Sequence, residues 1–363
     1  MRIRYLTAVL AGLTLASSSR ADDLKPIMEP ILGVSREGGG NRNAAQAWRQ
    51  LVAEGTPAIL PILGAMDGAD PTASNWLRTA VDAIAGKAEE LPAKQLRKFL
   101  QEDGHSPDSR RLAFELVVKA KPKSRDALLA GMLNDPSLEN RRDAIGLAMS
   151  EAKTAEEKKR LFDAARDKDQ IDELAKALDK LGTEVSVTEH FNFITKWHVI
   201  GPFDSNEGKG FAKKYPPEEG VELDATYSGK ADVKLKWVEA ETTDKYGELD
   251  LNKAIGPFKF AAAYAFAAVD LPKARQAEIR VASNNAVKIF LNGTEVLAKE
   301  EYHHGYRFDQ YVAPVKLAAG RNEILLKICQ NNQTENWAQK WSFQCRVCDR
   351  TGGKIPMTVV AEK

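Results

Sequence analysis

Cysteine is scarce in this chain, with three residues in 363, and histidine little commoner, with five. Cys329, Cys345 and Cys348 supply no second Cys-x-x-Cys pair, and no histidine stands at ligand spacing from them, which argues against a zinc site. Cys345 and Cys348 also fall three apart in an alternating segment, where side chains three apart face opposite ways. An excess of one charge is missing too. Lys and Arg number 52 against 51 Asp and Glu, so the overall balance gives no reason to expect nucleic acid or an anionic membrane as partner. No apolar run after residue 21 is long enough for a transmembrane helix. Hydrolase signatures are absent as well: there is no Gly-x-Ser-x-Gly elbow and no His-Glu-x-x-His, and Gly208-Lys209 lacks the Ser or Thr of a phosphate loop. Carboxylates such as Glu239, Glu241, Asp244, Glu300 and Glu301 are plentiful, but a glycosidase is defined by their separation, which sequence does not give.

What is present begins with an address. Met1-Arg-Ile-Arg4, an apolar run from Tyr5 to Ala16 and small residues up to Ala21 form the pattern of a secretory signal peptide. No cysteine follows the run, so the expectation is a soluble exported protein, periplasmic or extracellular, rather than a lipoprotein. In such an oxidising compartment Cys329 and Cys348 are candidates for a disulfide if their strands are neighbours.

Residues 22–43 read as a flexible lead, with a short helix at best, ending in Gly38-Gly-Gly-Asn-Arg42. Residues 44–182 carry apolar residues three and four apart, with Pro or Gly at the breaks. Three segments look alike, each opening with a proline (Pro71, Pro107, Pro136), then an arginine (Arg78, Arg111, Arg142), then a small and apolar stripe. A recurrence of about 30 residues built from helix pairs is the mark of an α-solenoid. The third unit, with Asp135-Pro136 followed by Arg141-Arg142, resembles HEAT-type repeats. Such stacks present a concave face to other proteins, or serve as a support. Gly182 closes the helical part.

Across residues 185–363 the apolar period becomes two, with Val185 to His190 and Ile194 to Phe203 reading as the first strands. Ile279 to Gly293 reads as two strands joined by a tight turn, after which Asn292-Gly293 starts a hairpin returning through Glu295 to Leu297. Further strands are expected at 234–238, 264–269, 311–317, 322–329 and 341–348, which argues for a sandwich. Cys345 is expected in the core beside Phe343 and Val347, with Cys348 and Cys329 on outward faces.

Trp197-His-Val-Ile-Gly-Pro-Phe-Asp204, Tyr215-Pro-Pro-Glu218, Val287-Lys-Ile-Phe-Leu-Asn-Gly293 and Lys316-Leu-Ala-Ala-Gly-Arg-Asn-Glu-Ile-Leu-Leu-Lys-Ile328 resemble a class of secreted bacterial proteins with a galactose-binding-like jelly roll. The last two tracts are also similar to the sugar-binding domain of family 2 glycoside hydrolases and to PA14-type modules. The resemblance implies ligand binding by loops at a sandwich edge, with carbohydrate as the usual class. Where related sequences read Ser-Asp-Asp-Gly, this chain has Ser283-Asn-Asn-Ala286, so a calcium-dependent sugar site is not carried over.

Tyr302, His303, His304, Tyr306, Arg307 and Asp309 form the densest polar and aromatic cluster, since rings stack on sugar faces while Arg and Asp bond hydroxyls. Asn284, Asn285 and Trp337 join them as ligand-binding candidates. Asp204 and Asn206 offer calcium-like oxygen spacing without the rest of an EF-hand loop; no other cofactor is expected. The fold expected is α+β, a HEAT-like α-solenoid followed by an antiparallel jelly-roll β-sandwich. The function expected is that of an exported, non-catalytic binding protein whose partner is a carbohydrate. One alternative is a scaffold that grips another exported protein on the solenoid's concave face; a second is a polysaccharide-degrading enzyme or accessory subunit.

Overall fold

The computed structural model describes residues 22–361; the expected signal peptide lies outside the described residues. The chain is a mixed α+β protein, helical in its N-terminal half and then built of antiparallel sheets. It divides into two compact units, one ending at Gln170 and one beginning at Ile171. No helix among the described residues is long and apolar enough to cross a membrane.

The helical unit starts earlier than its composition suggests. Residues 22–32 form helix α1, and Leu24, Met28, Ile31 and Val34 are buried in the unit's core. The expected flexible lead is thereby corrected: three- and four-residue spacing of its apolar side chains puts them on one helix face. Helices α2 (Asn41–Ala53), α3 (Ile59–Ala65), α4 (Pro71–Lys87), α5 (Ala93–Leu100), α6 (Pro107–Ala120), α7 (Arg125–Leu129), α8 (Leu138–Glu151) and α9 (Ala155–Ala164) follow, and α10 (Lys168–Asp179) crosses the division between the units. The breaks are capped as the sequence implies. Asp70 accepts from the amides of Thr72 and Ala73 at 2.7 and 3.0 Å with Pro71 at the first helical position, and Ser106 caps α6 in the same way. The third unit departs from the expected pattern: Ser137 is the cap of α8, and Pro136 sits outside the helix.

The recurring arginines form a ladder. Arg78 Nη2 lies 2.7 Å from Glu115, Arg111 bridges Glu115 and Asp143 at 2.8 Å each, and Arg142 grips Asp169 with both Nη atoms. The residues just before the last two point inward. Arg110 binds Asp135 at 2.6 Å and the carbonyls of Leu100 and Glu102, while Arg141 takes the carbonyls of Asn134 and Asp135. Each buried guanidinium thus satisfies carbonyls left unpaired where a preceding segment ends.

In the second unit, Val187–Phe191 is helix α11 rather than the first strand. Ser186 accepts from the amide of Glu189, and this cap outweighs the β-branched residues around it. Strands β1 (Lys196–Asp204), β2 (Thr226–Ser228), β3 (Lys234–Lys236), β4 (Val238–Glu241), β5 (Leu249–Asp250), β6 (Ala261–Leu271), β7 (Arg275–Ser283), β8 (Ala286–Leu291), β9 (Thr294–Lys299), β10 (Tyr311–Leu317), β11 (Gly320–Gln330), β12 (Ser342–Cys348) and β13 (Thr358–Val359) make the sheets. One sheet runs β4-β1-β6-β11-β8-β9, with β13 also on β6; the other runs β10-β7-β12-β5, and β2 pairs with β3. Ile279, Val281, Phe343 and Cys345 from one sheet meet Val287, Ile289, Leu326 and Ile328 from the other in a common core.

This topology corrects two expectations. β7 and β8 belong to different sheets, so Asn284-Asn285 is a crossing between layers rather than a hairpin turn. The Asn292-Gly293 turn does join β8 to β9, with φ of 50° and 79°. The Cys329–Cys348 bridge is not made, because Cys329 lies on β11 and Cys348 on β12, in opposite sheets, each on an outward face. All three cysteines are buried and free, and burial pushes the Cys348 thiol up to about 11 and Cys329 to about 12.

The tracts that carry the family resemblance are structural. Trp197 is buried in the core, donates its indole N–H to the Ile194 carbonyl at 2.9 Å, and meets Phe343 edge-on. A Cβ on Gly201 would stand 3.2 Å from the Ala262 carbonyl, a tight approach at the irregularity of β1 that glycine relieves. Lys327 on β11 points outward, with its side chain fully buried. Its ammonium reaches Glu218 at 2.8 Å and the carbonyls of Phe211 and Lys213, over the rings of Tyr215 and Tyr264. Tyr215-Pro-Pro-Glu218 is therefore the clamp that holds the 205–220 segment on the outer face of the larger sheet.

Candidate functional site

Four connections converge at one end of the sandwich: residues 256–260, the 284–285 crossing, the 300–310 loop and the 331–341 loop. They are tied by the Phe260 amide to the Asn331 carbonyl at 3.0 Å, by Lys259 Nζ to the Ala338 carbonyl at 2.6 Å, and by the His303 amide to the Asn284 carbonyl at 2.6 Å. Asn284 returns a side-chain bond to the His304 carbonyl at 3.2 Å, and the buried Asn285 donates to Gln330 at 3.0 Å. Two of the sequence candidates, Asn284 and Asn285, are thus the scaffold of the loops.

The 302–306 tract sends its side chains in different directions. His303 has φ of 51°, a left-handed conformation that turns the chain sharply. Its Nε2 bonds Asn331 Oδ1 at 2.5 Å, and its ring packs edge-on against Trp337 with centroids 5.6 Å apart. Burial pulls the His303 pKa below its ordinary value even though the Asn331 bond opposes this, so the ring is neutral at pH 7. Trp337 is 62% exposed, and Phe258 at the same end is 38% exposed. A half-fixed indole beside amide groups and Lys259 offers a flat apolar surface rimmed by hydrogen-bonding groups.

His304 turns instead toward β10. Its Nδ1 lies 2.8 Å from the Gln310 side-chain amide and 3.2 Å from the Gly305 carbonyl, its Nε2 lies 3.0 Å from the Tyr311 hydroxyl, and Tyr311 donates to Glu301 at 3.0 Å. Burial and the Glu301 carboxylate push the Tyr311 hydroxyl up to about 12. These groups, with Lys299 and Arg307, line a cleft of about 700 Å3.

Tyr306 and Asp309 are internal. Tyr306 donates to Gln344 at 2.8 Å beneath the Lys340 ammonium, and burial raises its pKa. Asp309 is held between Arg280 at 2.6 Å and Arg346 at 2.5 Å, on the outer face of the smaller sheet, where the Arg346 guanidinium lies between the rings of Phe191 and Phe308. Burial alone would raise the Asp309 pKa, but the two guanidinium groups hold it below the usual carboxylate value. Tyr302 packs its ring against the outer-face cluster of the larger sheet, and burial raises its pKa as well. Asn331, Lys259, Gln310 and Tyr311 were missed as site residues; Asn331 carried a signal in the polar run before Trp337, the others none.

The calcium expectation does not gain a ligand set. Asp204 faces the Lys230 ammonium at 3.8 Å and Asn206 is exposed; among the described residues no three His, Cys, Asp or Glu side chains gather as a metal site.

No protein-family model matches the chain, and no curated protein does. Among solved structures, an α-xylosidase of glycoside hydrolase family 31 from Xanthomonas citri aligns at 12% identity, covering 43% of this chain and 18% of that one. Its TM-score is 0.20, too low to carry an argument about fold or function.

Proposed function

We propose that this chain is an exported, non-catalytic carbohydrate-binding protein whose jelly-roll sandwich presents its ligand-binding loops at the Trp337 end. In this reading the helical unit is a HEAT-like α-solenoid that serves as support or as an interaction domain. The observation that carries the proposal is the Trp337 indole, left mostly in solvent while His303, Asn331 and Lys259 hold the loops around it. An aromatic face stacks on the C–H face of a pyranose, and nearby amides bond its hydroxyls. The test is affinity electrophoresis of the whole chain in gels containing soluble polysaccharides. Retardation by at least one polysaccharide is expected, with Trp337→Ala weakening it about 10-fold, since a stacking contact of this kind contributes on the order of 1–2 kcal/mol. No retardation by any glycan would overturn the reading.

A second reading, an interaction scaffold gripping another exported protein, is favoured by one feature of the helical unit. Met28, Leu32, Leu60 and Pro61 line a groove of about 650 Å3, and Leu32 is 39% exposed. Capture of a partner by the whole chain, lost when Leu32 becomes Glu while glycan retardation is absent, would favour this reading over the first.

A further inference from the structure

We propose that the cleft beside His304 takes an acidic sugar, a uronate unit, with its carboxylate on Arg307 and Lys299; this rests on the carbohydrate reading above. The cleft is distinct from the Trp337 platform because His303 and His304, though adjacent, bond different loops. Its volume, about 700 Å3, falls within the range of small-ligand sites, about 300–1,000 Å3.

Charge decides the class of ligand. Among the described residues Arg307 and Lys299 have no ion pair, whereas Arg280, Arg346 and Arg321 on the same unit are each paired with a carboxylate. The acidic side chain in the cleft, Glu301, is already engaged by the Tyr311 hydroxyl and lies 3.8 Å from His304. Two unpaired cations against one engaged carboxylate leave the cleft attractive to an anion.

A guanidinium fork matches a planar carboxylate bidentately, and Glu301 beside it repels a dianion more than a monoanion. The fork fits a phosphate equally well, so it is the repulsion from Glu301 that favours a carboxylate over a phosphate. Leu297 and Val312 add an apolar wall, with Val312 41% exposed, suited to the C–H face of a pyranose. The wired row Gln310, His304, Tyr311 and Glu301 fixes the polar floor without moving parts.

The test is calorimetric titration of the whole chain with tri-galacturonate and with the matched neutral α-1,4-galactotriose. Tri-galacturonate is expected to bind at least about 10-fold more tightly, the gain of a charge-assisted pair. Arg307→Gln is expected to bring it down to the galactotriose level, and Arg307→Lys to leave an intermediate preference. Arg307 is exposed, so both variants should melt as the parent does. Equal affinities for the two trisaccharides, or a preference that survives Arg307→Gln, would overturn the inference and leave the carbohydrate reading standing. Oligomeric dextran sulfate competing as well as tri-galacturonate would overturn carboxylate recognition in favour of general anion attraction. Binding of neither trisaccharide, with no polysaccharide retarding the chain, would remove the carbohydrate reading and this inference with it.

Discussion

Arg110 in the helical unit and Lys327 in the sandwich are both buried cations, yet their partners come from different ranges of sequence. Arg110 finds Asp135 at a separation of 25 positions and two carbonyls within 10. Lys327 finds Glu218 at 109 positions and the carbonyls of Lys213 and Phe211 still further off. Arg346 behaves like Lys327, reaching the Phe191 carbonyl 155 positions away. The helical unit therefore satisfies its buried charges between neighbouring segments, whereas the sandwich closes its charges over long loops. Damage to one should stay local, and damage to the other should release a distant segment.

The largest break follows from that contrast. Glu218→Ala leaves the fully buried Lys327 ammonium with only two carbonyls. A loss of about 3–5 kcal/mol is expected in denaturant titration, the cost of removing one partner of a buried pair. Hydrogen exchange should rise across 205–220, far in sequence from Lys327, and unchanged protection there would contradict the clamp. Next in size is Asp309→Asn, at about 3 kcal/mol, because Arg280 retains Glu278 and Arg346 retains two carbonyls. Its sign with pH is fixed. The folded Asp309 carboxyl titrates below its ordinary value, so its contribution is complete above about pH 4 and is lost as pH falls through the folded value. The gap between parent and variant in urea midpoints should be widest near neutral pH and close on acidification; a gap that widens in acid would contradict the assignment.

The same contrast explains what was legible in the sequence. Turn chemistry is local, so Asn292-Gly293 announced the β8 to β9 hairpin correctly. Alternation shows which face a side chain takes but not which sheet it joins. Val281 and Val287 face one core from opposite layers, and nothing in their spacing separates that arrangement from a hairpin. Two misreadings had local signals that were outweighed. Leu24, Met28 and Ile31 keep a helical spacing ahead of the glycines, and Ser186 with Glu189 is a capping pattern inside a β-branched tract. For the site, composition located the loop but not the directions of its side chains. Tyr306 and Asp309 look like surface groups beside Arg307, and the partners that draw them inward, Gln344 and Arg346, lie on β12. His303 and Trp337 come together because the β7 to β8 crossing and the Asn331 turn meet, a long-range event with no trace in either segment.

The smallest effect sharpens the comparison from the helical side. Arg142 is the last rung of the arginine ladder and makes a two-point contact with Asp169 plus a 3.0 Å contact with Asp167, the best geometry of any rung. Its side chain is 43% exposed, however, and Asp169 is 66% exposed. Water and salt screen such a pair, and ordering two long side chains opposes the gain. Arg142→Ala should therefore cost under about 1 kcal/mol, less again in 1 M salt, despite hydrogen bonds as short as those of Arg110. Denaturant midpoints at low and high salt measure this directly. A loss as large as that of Glu218→Ala would mean that the ladder, rather than the apolar core behind it, holds the helices in register.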